Sequence, residues 1–156
     1  MKLRIVAVGR LRSGPEADLI KDYRTRFDRT GRALSLGPLE IVEVEDRKGG
    51  GQLAEAALLE KAIPDGAFVV ALDERGKLIS SPEFSQNLTE WRDQGHRDCV
   101  FLIGGADGLT PDLRARADAK LSFGKMVWPH MLARVMLTEQ LYRATTILSG
   151  GPYHRV

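Results

Sequence analysis

Residues 99–111, CVFLIGGADGLTP, combine a strand, a glycine turn and a helix start. Cys99–Ile103 are all apolar, which is typical of a strand covered on both faces. Gly104 and Gly105 follow directly, and Thr110-Pro111 pairs a capping residue with a proline at the first helical position. The stretch therefore predicts a strand-to-helix unit whose turn lies at the carboxyl end of a buried parallel strand.

The rest of the chain repeats this alternation of strands and helices. Leu19, Tyr23 and Phe27 share one face of a first helix. We predict strands at 3–8, 39–44, 67–72 and 99–103, with a short fifth within 121–128. We predict helices at 15–28, 52–63, 82–94 after a cap at Ser81, 111–119, and from Pro129 or His130 to Gly150. This order indicates an α/β fold with a mostly parallel sheet, and its ligands are expected beyond the strands' carboxyl ends.

Composition limits the classes of protein that need consideration. The chain has 156 residues and a formal charge of +2, which indicates one domain without a strong basic excess. Its single cysteine, Cys99, sits in an apolar run and is expected to be buried and inert. No apolar run is long enough for a membrane span, and Met1-Lys2 leads into a strand pattern without a signal peptide, so we expect a cytosolic protein.

The glycine turn allows two interpretations. It either lets a ligand approach the backbone closely, together with Leu72 and Asp73 at the end of the neighbouring strand, or it merely makes a tight turn. GGADG at 104–108 lacks both the GxGxxG spacing and the GK[ST] ending, and Asp107 would repel a pyrophosphate. A cofactor without phosphates therefore fits better.

The C-terminal third carries the remaining candidates. Residues 123–128, FGKMVW, are either core under a loop or the wall of a pocket for a flat heterocycle. The last helix is apolar on several sides, which favours burial against a second copy in a homodimer. His130 and Arg134 lie on one side of it, and Glu139 and Arg143 on roughly the opposite side, either as a surface ion pair or as site residues.

Several motifs together resemble the family of ribosomal RNA large-subunit methyltransferase H, a minimal group within the SPOUT class. The motifs are MKLRIVAVGRL at 1–11, VALDERGK at 70–77, LIGGADGL at 102–109, LSFGKMVWPHMLARVMLTEQLYRA at 121–144 and PYHR at 152–155. The resemblance implies methyl transfer from S-adenosylmethionine to N3 of a pseudouridine in the 23S rRNA of the assembled 70S ribosome. It also implies a cytoplasmic homodimer and a single domain over 1–156, with a trefoil knot within about 70–156.

The resemblance also suggests site residues. Those implied for the cofactor are Leu72, Gly104, Gly105, Phe123, Gly124, Lys125, Met126, Val127 and Trp128. Ala106-Asp107 and Gly124 depart slightly from the family pattern, at positions where its members vary. The acceptor N3 must lose a proton, so a base and a nearby cation are needed. We assign Glu139 or His154 as the base, and Arg134 or Arg155 as the cation that stabilises the anion.

Contact with RNA needs a local positive surface, because the whole chain is nearly neutral. Arginines crowd the first helix and its flanking loops at positions 10, 12, 24, 26, 29 and 32, as an RNA-binding surface or simply as a solvated face. Two other classes remain open. A nucleotide-binding enzyme would bind a phosphorylated ligand at the glycine turn, and a non-catalytic ribosome-binding factor would bind no cofactor.

Overall fold

Five parallel strands and five α-helices alternate along residues 1–155, the part of the chain described by a computed structural model. The elements are β1 (Lys2–Val8), α1 (Pro15–Gly31), β2 (Leu39–Val44), α2 (Gly51–Lys61), β3 (Phe68–Leu78), α3 (Ser81–Asp93), β4 (Asp98–Ile103), α4 (Pro111–Arg116), β5 (Ala119–Ser122) and α5 (His130–Ser149). A short 3₁₀ helix, Arg32–Leu34, follows α1. The strands form one sheet in the order β2-β1-β4-β3-β5, which confirms the predicted α/β fold.

Apolar side chains cover both faces of the sheet. Phe101 of β4 packs with Phe27 of α1 and Leu137 of α5 on one face. Val100 of β4 packs with Leu59 of α2 on the other face. Adjacent residues of one strand point to opposite faces, so a strand covered on both sides is apolar throughout. This explains the uniform composition that identified the strand in the sequence.

The first helix differs from its prediction in length and in orientation. It continues to Gly31, where an added Cβ would lie 2.5 Å from the Leu36 carbonyl oxygen, so the chain passes very close to itself. Ile20 is buried together with Phe27, whereas Leu19 is exposed. The predicted Leu19 face was therefore wrong by one position, because the core is reached through the 20 and 27 positions of the helix.

Strand β3 extends six residues beyond its predicted end at Leu72. It pairs with β5 through Val70–Leu72 and again through Lys77–Leu78, with an irregularity between the two segments. At Gly76 an added Cβ would lie 2.8 Å from the backbone of Leu121, so only glycine fits there. The predicted trefoil knot within about 70–156 stays a prediction.

Smaller differences follow from local hydrogen bonds. The cap of α3 is Ser80, not Ser81, because Ser80 Oγ accepts from Glu83 N and the Glu83 carboxylate accepts from Ser80 N. The fifth strand begins at Ala119 and ends before the 123–128 segment. Cys99 is buried as predicted, and burial raises the pKa of its thiol. None of the helices in residues 1–155 is long and apolar enough to cross a bilayer.

Candidate active site

A cavity of about 360 Å³ opens at the carboxyl ends of β3, β4 and β5. Its volume falls within the range of about 300–1,000 Å³ that is usual for small-ligand pockets. The strand ends contribute Leu72, Ile103 and Leu121, and the start of α5 contributes His130 and Ala133. The cavity therefore lies where the sheet order predicts a ligand crevice.

The glycine turn forms one side of this cavity. Gly108 N donates to the Gly105 carbonyl at 3.0 Å, and Gly108 takes a positive φ of 72°, so the turn folds back on itself. A Cβ at Gly104 would lie 2.6 Å from the carbonyl carbon of Gly108. Because no side chain fits at Gly104, the backbone itself is presented to the cavity.

Two long-range contacts that the sequence analysis missed hold this turn in place. Gln52, at the start of α2, donates through its side-chain amide to the Asp107 carbonyl at 2.8 Å. Arg114 of α4 donates to the Leu109 carbonyl at 2.7 Å and forms an ion pair with Asp73 at 3.2 Å. The sequence predicts Asp73 at the ligand crevice, beside Leu72 at a strand end, but it does not predict the pairing of Asp73 with Arg114. No local pattern marks these partners, since they meet only after the chain has folded.

Eight of the nine residues that were expected to bind a cofactor line this cavity. They are Leu72, Gly104, Gly105, Phe123, Gly124, Met126, Val127 and Trp128. Lys125 is exposed and is not among the lining residues. Met126 and Val127 are 77% and 84% exposed, and Trp128 Nε1 donates to the Phe123 carbonyl at 3.3 Å. The 123–128 segment is thus a pocket wall whose outer surface is uncovered, rather than core under a loop.

A second polar cluster joins the C-terminal tail to α5. Two N–H groups of Arg143 donate to Glu139 Oε1 at 2.6 and 3.0 Å, and the Tyr153 hydroxyl donates to the same oxygen at 2.9 Å. Arg143 Nη1 lies 3.2 Å from His154 Nδ1. The tail is therefore packed against the helix and does not fray. Of the four candidate catalytic residues, Glu139 and His154 meet here.

Arg134 lies apart from this cluster and is only 1% exposed. Its guanidinium donates to Glu43 at 2.7 Å and to the carbonyls of Val8 and Gly9 at 3.3 and 3.2 Å. Its Nε is buried without a partner among the described residues. Arg134 thereby ties α5 to the ends of β1 and β2. Arg155, the fourth candidate, is exposed in the tail.

The cavity and the tail cluster occupy different parts of α5. His130 lines the cavity, whereas the tail contacts α5 at Glu139 and Arg143, which lie 9 and 13 residues further along and on roughly the opposite side of the helix. At 1.5 Å per residue this is a separation of about 14–20 Å along the helix axis. One chain therefore does not bring its own tail to its own cavity.

Comparison with known proteins identifies the fold and its family. A family model described as "Predicted SPOUT methyltransferase" matches residues 1–154. The chain belongs to the SPOUT methyltransferase family. A solved structure, that of a probable methylase family protein from Haemophilus influenzae Rd KW20, is 16% identical and covers 99% of this chain and 70% of that one, with a TM-score of 0.54. At that identity the likeness supports the fold alone.

Full-length relatives of this SPOUT methyltransferase carry a more specific name. "Ribosomal RNA large subunit methyltransferase H" from Dinoroseobacter shibae is 69% identical over the whole of both chains. Proteins of the same name from Roseobacter denitrificans and Ruegeria pomeroyi are 67% identical over 99% of both chains and 65% identical over all of both chains. The family indicated by the sequence motifs is confirmed.

The cavity of this SPOUT methyltransferase suits S-adenosylmethionine, a cofactor with a flat base and no phosphate. Leu72, Ile103 and Phe123 supply apolar surface for a heterocycle. The bare backbone at Gly104 and Gly105 offers hydrogen-bonding groups at close range. Three acidic side chains line the cavity, Asp73, Glu74 and Asp107, against two arginines, Arg75 and Arg114. This small excess of negative charge disfavours a polyphosphate.

Proposed function

We propose that this chain transfers a methyl group from S-adenosylmethionine to N3 of a pseudouridine in the 23S rRNA of the assembled 70S ribosome. The main support is the position of the cavity, at the strand ends of a chain that is 69% identical over its whole length to a protein named as a large-subunit ribosomal RNA methyltransferase. Residues 1–156 act as one domain. Because ribosomes are the substrate, the cytoplasm is the site of action.

The chain's role toward the donor is to hold it. The cofactor supplies a methyl carbon on a sulfonium, which forms a bond to N3 as its bond to sulfur breaks. Leu72 and Phe123 would pack on the heterocycle, while the Gly104-Gly105 backbone would supply hydrogen-bonding groups. Asp73, held by Arg114 at 3.2 Å, keeps the pocket wall in place. Fixing the methyl group at attack distance is a large part of such catalysis.

The four candidate catalytic residues divide into two pairs. Arg134 is buried on Glu43, and the Glu139 carboxylate is committed to Arg143 and Tyr153. We therefore assign these two to holding the fold and the tail. We place the two tail residues, His154 and Arg155, beside the pseudouridine that is methylated. A cation such as Arg155 beside a carbonyl oxygen stabilises the anion that forms when N3 loses its proton.

A homodimer brings the tail and the cavity together. Within one chain they are about 14–20 Å apart along α5 and on roughly opposite sides of the helix. Met126 and Val127, which line the cavity, and Leu132 of α5 are all exposed apolar side chains. Burial by a second copy is a common reason for such exposure. In the proposed dimer the partner's tail completes each site, so one chain binds the donor and the other contacts the RNA base.

The surface beside the tail suits RNA. The ring of Tyr142 lies between those of Tyr23 of α1 and Tyr153 of the tail, in tilted contacts with centre-to-centre distances of 6.1 and 4.8 Å. The Arg26 guanidinium lies 5.8 Å from the centre of the Tyr142 ring. Tyr142 therefore connects the surface of the arginine-rich helix α1 to that of the tail. A nearly neutral chain binds naked RNA weakly, which fits a substrate that is presented by a whole ribosome.

The test is methyl transfer from labelled S-adenosylmethionine to ribosomes that lack the modification. We expect labelling of intact 70S particles, little labelling of free subunits or naked 23S rRNA, and a methyl group on N3 by mass spectrometry of the digested RNA. Isothermal titration with S-adenosylmethionine, ATP and NAD runs in parallel. Selective ATP or NAD binding would indicate a nucleotide enzyme, and ribosome binding without any cofactor would indicate a non-catalytic factor.

A further inference from the structure

The contact between Arg143 and His154 determines where the imidazole carries its proton. Arg143 Nη1 lies 3.2 Å from His154 Nδ1. A guanidinium has only N–H donors and no acceptor, so Nδ1 must be the acceptor in this contact. A neutral imidazole that accepts at one nitrogen carries its proton on the other. The geometry therefore selects the form of His154 with its proton on Nε2.

The guanidinium itself is firmly oriented. Arg143 donates to Glu139 at 2.6 and 3.0 Å, and its guanidinium carbon lies 4.9 Å from the centre of the Tyr153 ring. Tyr153 is fixed in turn by its own hydrogen bond to Glu139 at 2.9 Å. The hydrogen bonds that Arg143 donates to Glu139 raise the pKa of Arg143, so the side chain stays cationic and keeps its donors. The donor facing His154 is thus present under all conditions in which the protein is folded.

We infer that Arg143 is a positioning residue that makes His154 a hydrogen-bond donor toward the substrate. This inference rests on the proposed function, and it assigns His154 a role in it. Nε2–H points away from Arg143 and is the only ring N–H left to meet a carbonyl oxygen of the pseudouridine. The donor stabilises negative charge on that oxygen as N3 is deprotonated.

His154 is then not the general base. A base needs a free lone pair on the nitrogen that faces the substrate, and here that nitrogen is protonated. Glu139 is not a substitute, because taking up a proton would break its charge-assisted pair with Arg143. The N3 proton passes to solvent, the N3 lone pair forms the new bond to the methyl carbon, and the sulfonium leaves as a neutral thioether.

The first experiment is ¹⁵N NMR of the imidazole rings in the full-length, uniformly labelled protein, which contains three histidines. We expect His154 to show an unprotonated Nδ1 and a protonated Nε2 at neutral pH. R143A should give the averaged pattern of a free imidazole, and R143K, which keeps a cationic donor, should restore part of the bias. R26A, a neighbouring arginine that contacts Tyr142 instead, should leave the pattern unchanged. A protonated Nδ1, or an R143A spectrum identical to that of the parent, would overturn the inference.

The second experiment separates donor from base by kinetics. The side-chain amide of H154Q supplies an N–H near the position of Nε2 but cannot take up a proton. We expect H154A to lower kcat by about 10²–10³-fold, the usual effect of losing one such donor. H154Q should recover most of that loss, with S-adenosylmethionine affinity unchanged in both. Equal losses in H154A and H154Q would refute the donor role. If the parent protein methylates no RNA, the proposed function fails, while the NMR pattern still decides the proton's position.

Discussion

The Tyr153 hydroxyl donates to Glu139 at 2.9 Å, across the gap between the C-terminal tail and α5. Burial first, and then the hydrogen bond to Glu139, raises the pKa of Tyr153 above its ordinary value near 10. The neutral phenol is therefore favoured in the folded state. Its contribution to stability is complete below the unfolded pKa and is lost as the pH rises through the folded pKa.

This predicts that one of the three tyrosines titrates late. An ultraviolet titration of the native protein should show a delayed component, and Tyr153→Phe should remove it. Tyr23→Phe serves as the comparison: Tyr23 is a lesser cause of the raised pKa of Tyr153, after burial and Glu139, so a delayed component should remain with a smaller delay. If Tyr153→Phe changes only the early part of the curve, the contact with Glu139 does not exist in solution.

Substitution of Gly104 should damage the cofactor pocket with little effect elsewhere. The Cβ of Gly104→Ala would lie 2.6 Å from the Gly108 carbonyl carbon, so the turn must shift. Overpacking of this kind costs about 1–3 kcal/mol, and where that cost falls on the bound form of the pocket the affinity drops by about 5- to 150-fold. Isothermal titration with S-adenosylmethionine measures it. Gly14→Ala is the matched control, since its Cβ meets only Glu16 at 3.8 Å, and a similar loss there would argue against the pocket assignment.

Removal of Glu43 should destabilise the fold through Arg134. Glu43→Ala leaves the guanidinium of a 1% exposed arginine without its carboxylate partner. A fully buried pair would lose about 3–5 kcal/mol, and the partial exposure of Glu43 reduces this to about 2–3 kcal/mol in the free energy of unfolding. Denaturant titration gives the value. Glu40→Ala, on the same strand, breaks an exposed pair with Arg4 and should cost at most about 1 kcal/mol. Equal losses in the two variants would contradict the buried role of Arg134.

The oligomeric state should depend on Leu132. This residue is an apolar side chain that is 39% exposed on α5. Leu132→Asp places a charge in the proposed interface and should convert the dimer to a monomer in sedimentation velocity. Leu53→Asp is the control, because Leu53 is 79% exposed on α2, which packs on the opposite face of the sheet. A dimer that survives Leu132→Asp as well as Leu53→Asp would place the interface elsewhere.

Local composition was sufficient to predict most of the fold. The sequence predicted strand β4, which is apolar on both faces, where the structure has it. It also predicted the helix start at Thr110-Pro111 correctly. The end of β3 was missed because residues 73–77 are charged or glycine, and the strand is continued there by the pairing of Lys77–Leu78 with β5. Leu19 and Ile20 have similar hydrophobicity, so the helical period alone did not decide which of them faces the core.

The candidate site was predicted only where its signal is local in the sequence. Glycines after an apolar strand signal a ligand turn locally, which located Gly104 and Gly105. Gln52 and Arg114 brace that turn from other elements, and no spacing rule connects them to it. The roles of Glu139 and Arg134 likewise depended on their partners, Tyr153 and Glu43, which are remote in sequence.

Helix α5 begins at the donor cavity and ends at the tail, so each chain of the proposed dimer gives unlike halves to two sites. Defects at the two ends then belong to different sites when they are carried by different chains. A mixed dimer of a Gly104→Ala chain and a His154→Ala chain keeps one site with both halves intact, although each variant alone is impaired at both sites. In genetic terms, a cavity variant and a tail variant of this one gene should complement each other when their chains form a mixed dimer.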